Sequence, residues 1–319
     1  MAKKTYVVTG GAGFIGSHIA TRLIQDGQTV RIVDNMLTGK QENLDYLQSL
    51  GGDLSIHRVS ITEFETLHPV FEGAEVIFHQ AALASVPLSV ETPLETHAHC
   101  VTGTLHVLKA AQETGVRRVV YAASSAAYGD QEGEFKLETM TPAPISPYGA
   151  AKLAAEYYCK VFNECYDLET VALRYFNVFG ARQDPNSHYA AVIPKFITLM
   201  LQGKRPVIFG DGQQSRDFTY IDNVVHGNLL AAEAPDAAGQ MMNLATGGQV
   251  SLNELVTMLN KVLEIDVAAI HDAPRAGDIL HSRANIDKAA DLLDFAPIVT
   301  FEEGLRRTVA WYKANMESS

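Results

Sequence analysis

The chain has 319 residues, a formal net charge of −12 and a pI near 5.3. Hydrophobic residues make up 47% and charged residues 19%, a balance that builds a core and excludes a disordered chain. The acidity leaves no global basic field for nucleic acid or an anionic membrane, and no run of 18 apolar residues predicts a membrane span. Cys100, Cys159 and Cys165 form no CxxC pair and no even framework, so reduced thiols and a cytoplasmic setting are expected. The start, MAKKTYVVTG, runs straight into a strand, so no leader segment is expected. The 11 histidines show no HExxH spacing; His97-x-His99 reads as part of a helix start, and no metal is expected.

In chain order, short apolar runs predict strands at Tyr6–Thr9, Val30–Val33, Leu54–Val59, Val76–Phe78, Val119–Ala122 and Thr170–Leu173. Amphipathic stretches between them predict helices at Ile15–Gln25, Ala98–Glu113 and Tyr148–Glu164. This alternation implies an α/β fold: a doubly wound parallel sheet of the Rossmann type, covered on both faces. After Gly180 the chain is rich in Pro, Gly, Asn and Gln, with one helical stretch at Pro194–Gln202. From Phe218 the first pattern resumes, and a strand at Met242–Ala245 is expected to rejoin the sheet. Residues 1–177 and 218–245 then form a dinucleotide-binding domain. Residues 178–217 and 246–319 form a smaller α/β domain, with a substrate in the crevice between them.

The first strand runs into Thr9-Gly10-Gly11-Ala12-Gly13-Phe14-Ile15-Gly16. Gly10 allows a tight turn, Gly13 lets a pyrophosphate approach the positive end of a helix, and Gly16 lets helix and strand pack closely. Asp34 follows the last glycine by 18 residues, at the end of the second strand. A carboxylate there accepts both hydroxyls of an adenosine ribose and repels a 2′-phosphate, which favours NAD over NADP.

Tyr148 and Lys152 are four apart on one predicted helix and share a face. Ser146-Pro147 marks the helix start, and Ser124-Ser125 follows a strand at the sheet end where open α/β folds place their chemistry. A free phenol titrates near 10, so only about one in a thousand is ionised at neutral pH. A neighbouring ammonium and the positive nicotinamide ring are both expected to favour the phenolate. Tyr148 is thus a candidate base, Lys152 its electrostatic partner and Ser124 an orienting hydroxyl.

Taken together, TGGAGFIG, the Ser124…Tyr148-x-x-x-Lys152 set and the length resemble the extended short-chain dehydrogenase/reductase family. The segments His79–Pro93, Tyr121–Asp130, Ser146–Lys152, Arg174–Asn186, Gly210–Asn223 and 275–278 are similar to those of UDP-hexose 4-epimerases, the N-acetylhexosamine branch above all. The likeness spans Thr5 to about Trp311. It implies NAD contacts from Gly10, Gly13, Phe14, Ile15, Asp34, Asn35, Ser60, Ile61, Gln80, Ala81, Ala82, Tyr148, Lys152 and Tyr175. It also implies a UDP-sugar site: Ser124 and Tyr148 at the reacting sugar hydroxyl, Asn177, Arg216 and Arg275 at the diphosphate, Val192 and Phe196 at the uracil, Asp278 at the uridine ribose, and Ser85 and Ser125 as further substrate contacts.

Ser282 stands where the resemblance places the border of the sugar's C2 substituent, and a serine leaves room for an N-acetyl group. Two positions depart from the family pattern: Ser60 replaces an aspartate that contacts adenine, and Cys100 replaces an asparagine near the cofactor. The implied activity is NAD-dependent 4-epimerisation of UDP-GlcNAc/UDP-GalNAc, with UDP-Glc/UDP-Gal as well, through a transient 4-keto sugar in a homodimeric enzyme. Epimerisation without N-acetyl preference, a UDP-glucuronate-type epimerase and a non-catalytic nucleotide-sugar sensor stay open. Ser125-Ala126 cannot supply the acidic pair that a dehydratase needs.

Overall fold

The computed structural model describes residues 3–185, 191–274 and 280–316. Seven strands form one parallel sheet: β1 Thr5–Thr9, β2 Thr29–Val33, β3 Asp53–His57, β4 Val76–His79, β5 Arg118–Ser124, β6 Glu169–Tyr175 and β7 Gln240–Leu244. Their spatial order is β7-β6-β5-β4-β1-β2-β3, with every neighbouring pair parallel. The chain therefore reverses its direction of travel across the sheet between β1 and β4. Such a switch opens a crevice at the strands' carboxyl ends.

The strands are apolar on both faces because helices cover both. Val8, Ile32, Phe78 and Val120 face one layer, built from α1 (Phe14–Gln25) and the later α5 (Ile221–Glu233). Val7, Val33, Ile77 and Tyr121 face the other, built from α2 (Gly103–Glu113) and α3 (Pro147–Tyr166). A turn of π-helix, Ala98–Thr102, leads into α2, so the predicted helix at Ala98–Glu113 begins in a wider coil. Helix α3 starts where the sequence indicates. Ser146 caps it by accepting from the Gly149 N–H at 3.1 Å, Pro147 occupies its first turn, and Asp167 ends it at φ +53°.

The remaining chain sits over the carboxyl edge. Helices α4 (Val192–Leu201), α6 (Leu252–Leu263) and α7 (Phe301–Met316) extend the α1 side of the core. Short strands tie this region together: Ser215–Arg216 runs antiparallel to Val250–Ser251 and parallel to His281–Ser282. Val178–Phe179 pairs with Thr219–Tyr220, and Val207–Phe209 pairs with Ile270–Asp272. The expected return to the sheet is made by β7, which pairs with β6 from Gln240↔Val171 to Leu244↔Tyr175.

Candidate functional site

A cleft of about 620 Å³ opens at the carboxyl ends of the strands. Its floor is the glycine turn after β1. Gly10 has φ +69°, and a Cβ there would come within 2.7 Å of the Ala81 backbone nitrogen. A Cβ on Gly16 would overlap the Gly10 carbonyl. Both positions thus require glycine, and the turn delivers the start of α1, with Gly13, Phe14 and Ile15, to the cleft wall. The first turn of α1 carries no acidic residue, so its free N–H groups offer an uncompensated positive end.

Asp34 follows β2 and lines the cleft while only 8% exposed. One carboxylate oxygen accepts from the Ala12 N–H at 3.0 Å and the other from the Met36 N–H at 2.9 Å. Burial raises its pKa above the ordinary carboxylate value, and those two hydrogen bonds pull it back. A carboxylate has about four lone-pair sites, so two remain for an incoming donor. Asn35, Ile61, Gln80, Ala81 and Ala82 continue the wall. Tyr175, at the end of β6, donates to Asn228 Oδ1 at 2.9 Å, and Gln80 Nε2 donates to the Tyr175 oxygen at 3.1 Å. Asn228 is fully buried on α5 and gave no sign of this role in the sequence.

The expected catalytic set converges. Ser124 is the last residue of β5, and Tyr148 and Lys152 occupy the first turns of α3; all three line the cleft. Lys152 is 3% exposed. Its ammonium donates to the Ala122 carbonyl at 2.8 Å and lies 4.9 Å from the Tyr121 ring centre and 6.0 Å from that of Tyr148. Burial pushes Tyr148 well above its usual range, the Cys100 thiol adds to the rise, and the Ser124 hydroxyl opposes it. Burial also holds Lys152 below its ordinary value. Desolvation outweighs attraction here because the ammonium is bonded to a carbonyl rather than to the phenol.

On the far side of the cleft stand Ser125, Asn177, Arg216 and Ser282. Asn177 donates to the Asp217 carbonyl at 3.4 Å. Asp217 itself is fully buried, its carboxylate held by Thr246 at 2.7 Å and by the Ala284 N–H at 3.3 Å. Arg216 Nη1 donates to the Ser215 carbonyl at 2.9 Å.

Four expected site residues are not on the cleft wall. The Ser60 hydroxyl is turned to Thr62 Oγ1 at 2.8 Å, while its neighbours Val59 and Ile61 line the cleft. Ser85 caps the helix Val86–Glu91, accepting from the Leu88 N–H at 3.2 Å. Phe196 is 2% exposed and belongs to the main core, and Val192 packs against that core; in this stretch Ala191 is the cleft-lining residue. Helix α4 is apolar on most of its surface, so burial took the residues that a uracil pocket would need. Arg275 and Asp278 lie outside the described residues. The sequence reading gave no site role to Lys136, His99 or Gln183, which line the cleft; Gln183 falls within the family-like segment Arg174–Asn186, and His99 was read as part of a helix start.

Residues 6–245 match the family model described as the NAD dependent epimerase/dehydratase family. A putative UDP-glucose 4-epimerase of Methanocaldococcus jannaschii is 36% identical over 97% of this chain and 98% of its own. A solved UDP-N-acetylglucosamine 4-epimerase from Methanobrevibacter ruminantium, in complex with UDP-N-acetylmuramic acid, superposes with a TM-score of 0.94 at 42% identity, covering 99% of this chain and 100% of its own. A UDP-glucose 4-epimerase from Thermotoga maritima, solved with UDP-glucose, gives 0.92 at 37% identity, covering 98% and 99%.

Proposed function

The chain belongs to the NAD dependent epimerase/dehydratase family, and on that premise we propose that it interconverts C4 epimers of UDP-sugars, N-acetylhexosamines foremost. The observation that carries the reading is the meeting of Ser124, Tyr148 and Lys152 in one cleft with the glycine turn and Asp34. The cleft fits a dinucleotide: a turn whose Gly10 admits no Cβ, a helix start free of acidic residues, and a buried carboxylate with acceptor capacity to spare. We assign its holding to Gly10, Gly13, Phe14, Ile15, Asp34, Asn35, Ile61, Gln80, Ala81, Ala82 and Tyr175. When bound there, NAD would supply a reversible hydride acceptor.

Tyr148 takes the proton of the 4-hydroxyl and later returns it, and Ser124 orients the reacting oxygen. Lys152 holds the charge that makes the phenolate accessible; each unit by which it lowers the pKa represents about 1.36 kcal/mol. Arg216 and Asn177 hold the diphosphate, which leaves the oxidised sugar free to present its other face. A guanidinium suits a diphosphate because its planar donors match phosphate oxygens. Ser282 leaves space at C2 for an acyl group. The dinucleotide unit comprises 1–177 and 218–245, and the sugar-nucleotide unit 178–217 and 246–319.

The protein acts in the cytoplasm as a homodimer. Three free cysteines and the exposed apolar side chains of Tyr157, Tyr158 and Val161 on α3, with Leu94 on the helix Pro93–His97 that packs against α3, support this. The test is to incubate purified protein with UDP-GlcNAc, UDP-glucose and UDP-glucuronate in turn, without added NAD, and to identify products by NMR. C4 epimers are the expected products, and failure to epimerise all three sugars would overturn the proposal.

A further inference from the structure

Lys136 is 3% exposed and lines the cleft. Its backbone is clamped on three sides. Its N–H donates to the Arg283 carbonyl at 2.7 Å, and its carbonyl accepts from the Asn285 N–H at 3.1 Å and from Asn243 Nδ2 at 3.0 Å. It forms a parallel bridge with Ala284, two residues from Ser282, so the two side chains belong to one braced corner of the site. The ammonium donates to the Gln131 carbonyl, and no carboxylate among the described residues lies within ion-pair distance. Burial holds it below the ordinary lysine range, with Asp130 pulling the other way.

A buried ammonium has three donors and is costly unless an acceptor, preferably an anion, meets them. The cleft has charge to spare. Lys136, Lys152 and Arg216 line it, and the one carboxylate among its described lining residues, Asp34, is engaged at the opposite end with Ala12 and Met36. In the proposed reaction Lys152 serves the phenol and Arg216 the diphosphate. Lys136 is left without a task, on a protein that is otherwise acidic.

We propose that Lys136 is a specificity-determining residue of the sugar subsite and that it selects UDP-hexoses bearing a carboxylate on the sugar. The inference rests on the UDP-sugar reading above and narrows its substrate class. The carboxylate has two sources, an oxidised C6 or an acyl ether on a ring hydroxyl, and the chemistry at the ammonium is the same for both.

The experiment compares kcat/KM of NAD-loaded wild type, K136M and K136R on UDP-GlcNAc, UDP-glucuronate and UDP-N-acetylmuramate. K136M is expected to lower kcat/KM for one carboxylated sugar at least tenfold more than for UDP-GlcNAc, and K136R to restore part of that ratio; the sugar affected identifies the source. Equal losses on all three sugars, or no change in the ratios, overturn the proposal. So does a wild type that epimerises UDP-GlcNAc and neither carboxylated sugar, which leaves the epimerase reading standing. Wild type inactive on every sugar removes both. Should K136M fail to fold or to retain NAD, K136Q is read by the same ratios.

Discussion

Ser282 and Arg216 are register partners on adjacent parallel strands, so the residue proposed to border the sugar's C2 group and the one proposed to hold the diphosphate move as one piece. Ser282 is 7% exposed, and its small side chain defines the width of the cleft there. S282Y is expected to lower the ratio of kcat/KM for UDP-GlcNAc over UDP-glucose by at least tenfold, about 1.4 kcal/mol of discrimination. Steady-state assays on both sugars measure it. An unchanged ratio would show that C2 lies elsewhere.

Removing the Tyr148 hydroxyl tests the proton transfer. Y148F is expected to reduce kcat by about 10²–10⁴-fold. UDP-sugar binding, read by calorimetry, should stay within a few-fold of wild type. Wild-type turnover in this variant would assign the base to another group.

Lys152 sets the pH at which that base works. Burial raises the Tyr148 pKa in the protein alone and the Ser124 hydroxyl opposes that rise, so removing the ammonium tests the separate role proposed for it. In K152M the acid limb of the kcat/KM profile is expected to move at least one unit to higher pH. A profile superimposable on wild type would mean that the ammonium acts only through the Ala122 carbonyl.

His79 gives a stability prediction with a definite sign. Its ring nitrogens bond Thr9 Oγ1 at 2.7 Å and Thr104 Oγ1 at 3.0 Å, and burial lowers its pKa to about 3 from 6.5. The folded protein therefore binds this proton less well than the unfolded chain. The resulting stability is complete above about 6.5 and is lost as pH falls toward 3, by at most about 1.4 kcal/mol per pH unit. Denaturant titrations across that window should show the fall, and H79Q should flatten its slope by about one proton.

Phe196 separates core from ligand pocket. F196A is expected to cost about 3–5 kcal/mol of stability by leaving a cavity in the core. The KM for UDP-sugar should change less than threefold. A large KM change with little loss of stability would restore the uracil role that the resemblance implied.

The sheet was legible because strands buried on both faces read as continuous apolar runs, and the glycine turn because positive φ and close packing at Gly10 admit one residue type. The Ser124–Tyr148–Lys152 set was legible because chemistry at a strand end and a helix start has local spacing. Ser85 and Val192 stand off the cleft wall for a physical reason: a serine before a helix serves its N-terminus first, and an apolar residue on an apolar helix serves the core first. Sequence shows that an ammonium is near Tyr148 but not which acceptor it faces, which is the Ala122 carbonyl. Lys136 left no trace, since its position depends on Asn243, Arg283 and Asn285, all more than 100 residues away.

The double attachment of Asp34 to the Ala12 and Met36 amides bears on any attempt to redesign cofactor preference. Exchanging that aspartate for a neutral or basic residue would strip the turn beneath the pyrophosphate of its brace while removing the group that discriminates between the two dinucleotides. An engineer seeking a phosphorylated coenzyme would have to furnish a substitute acceptor for the Ala12 amide in the same round of mutagenesis, or loosen the very grip being retuned.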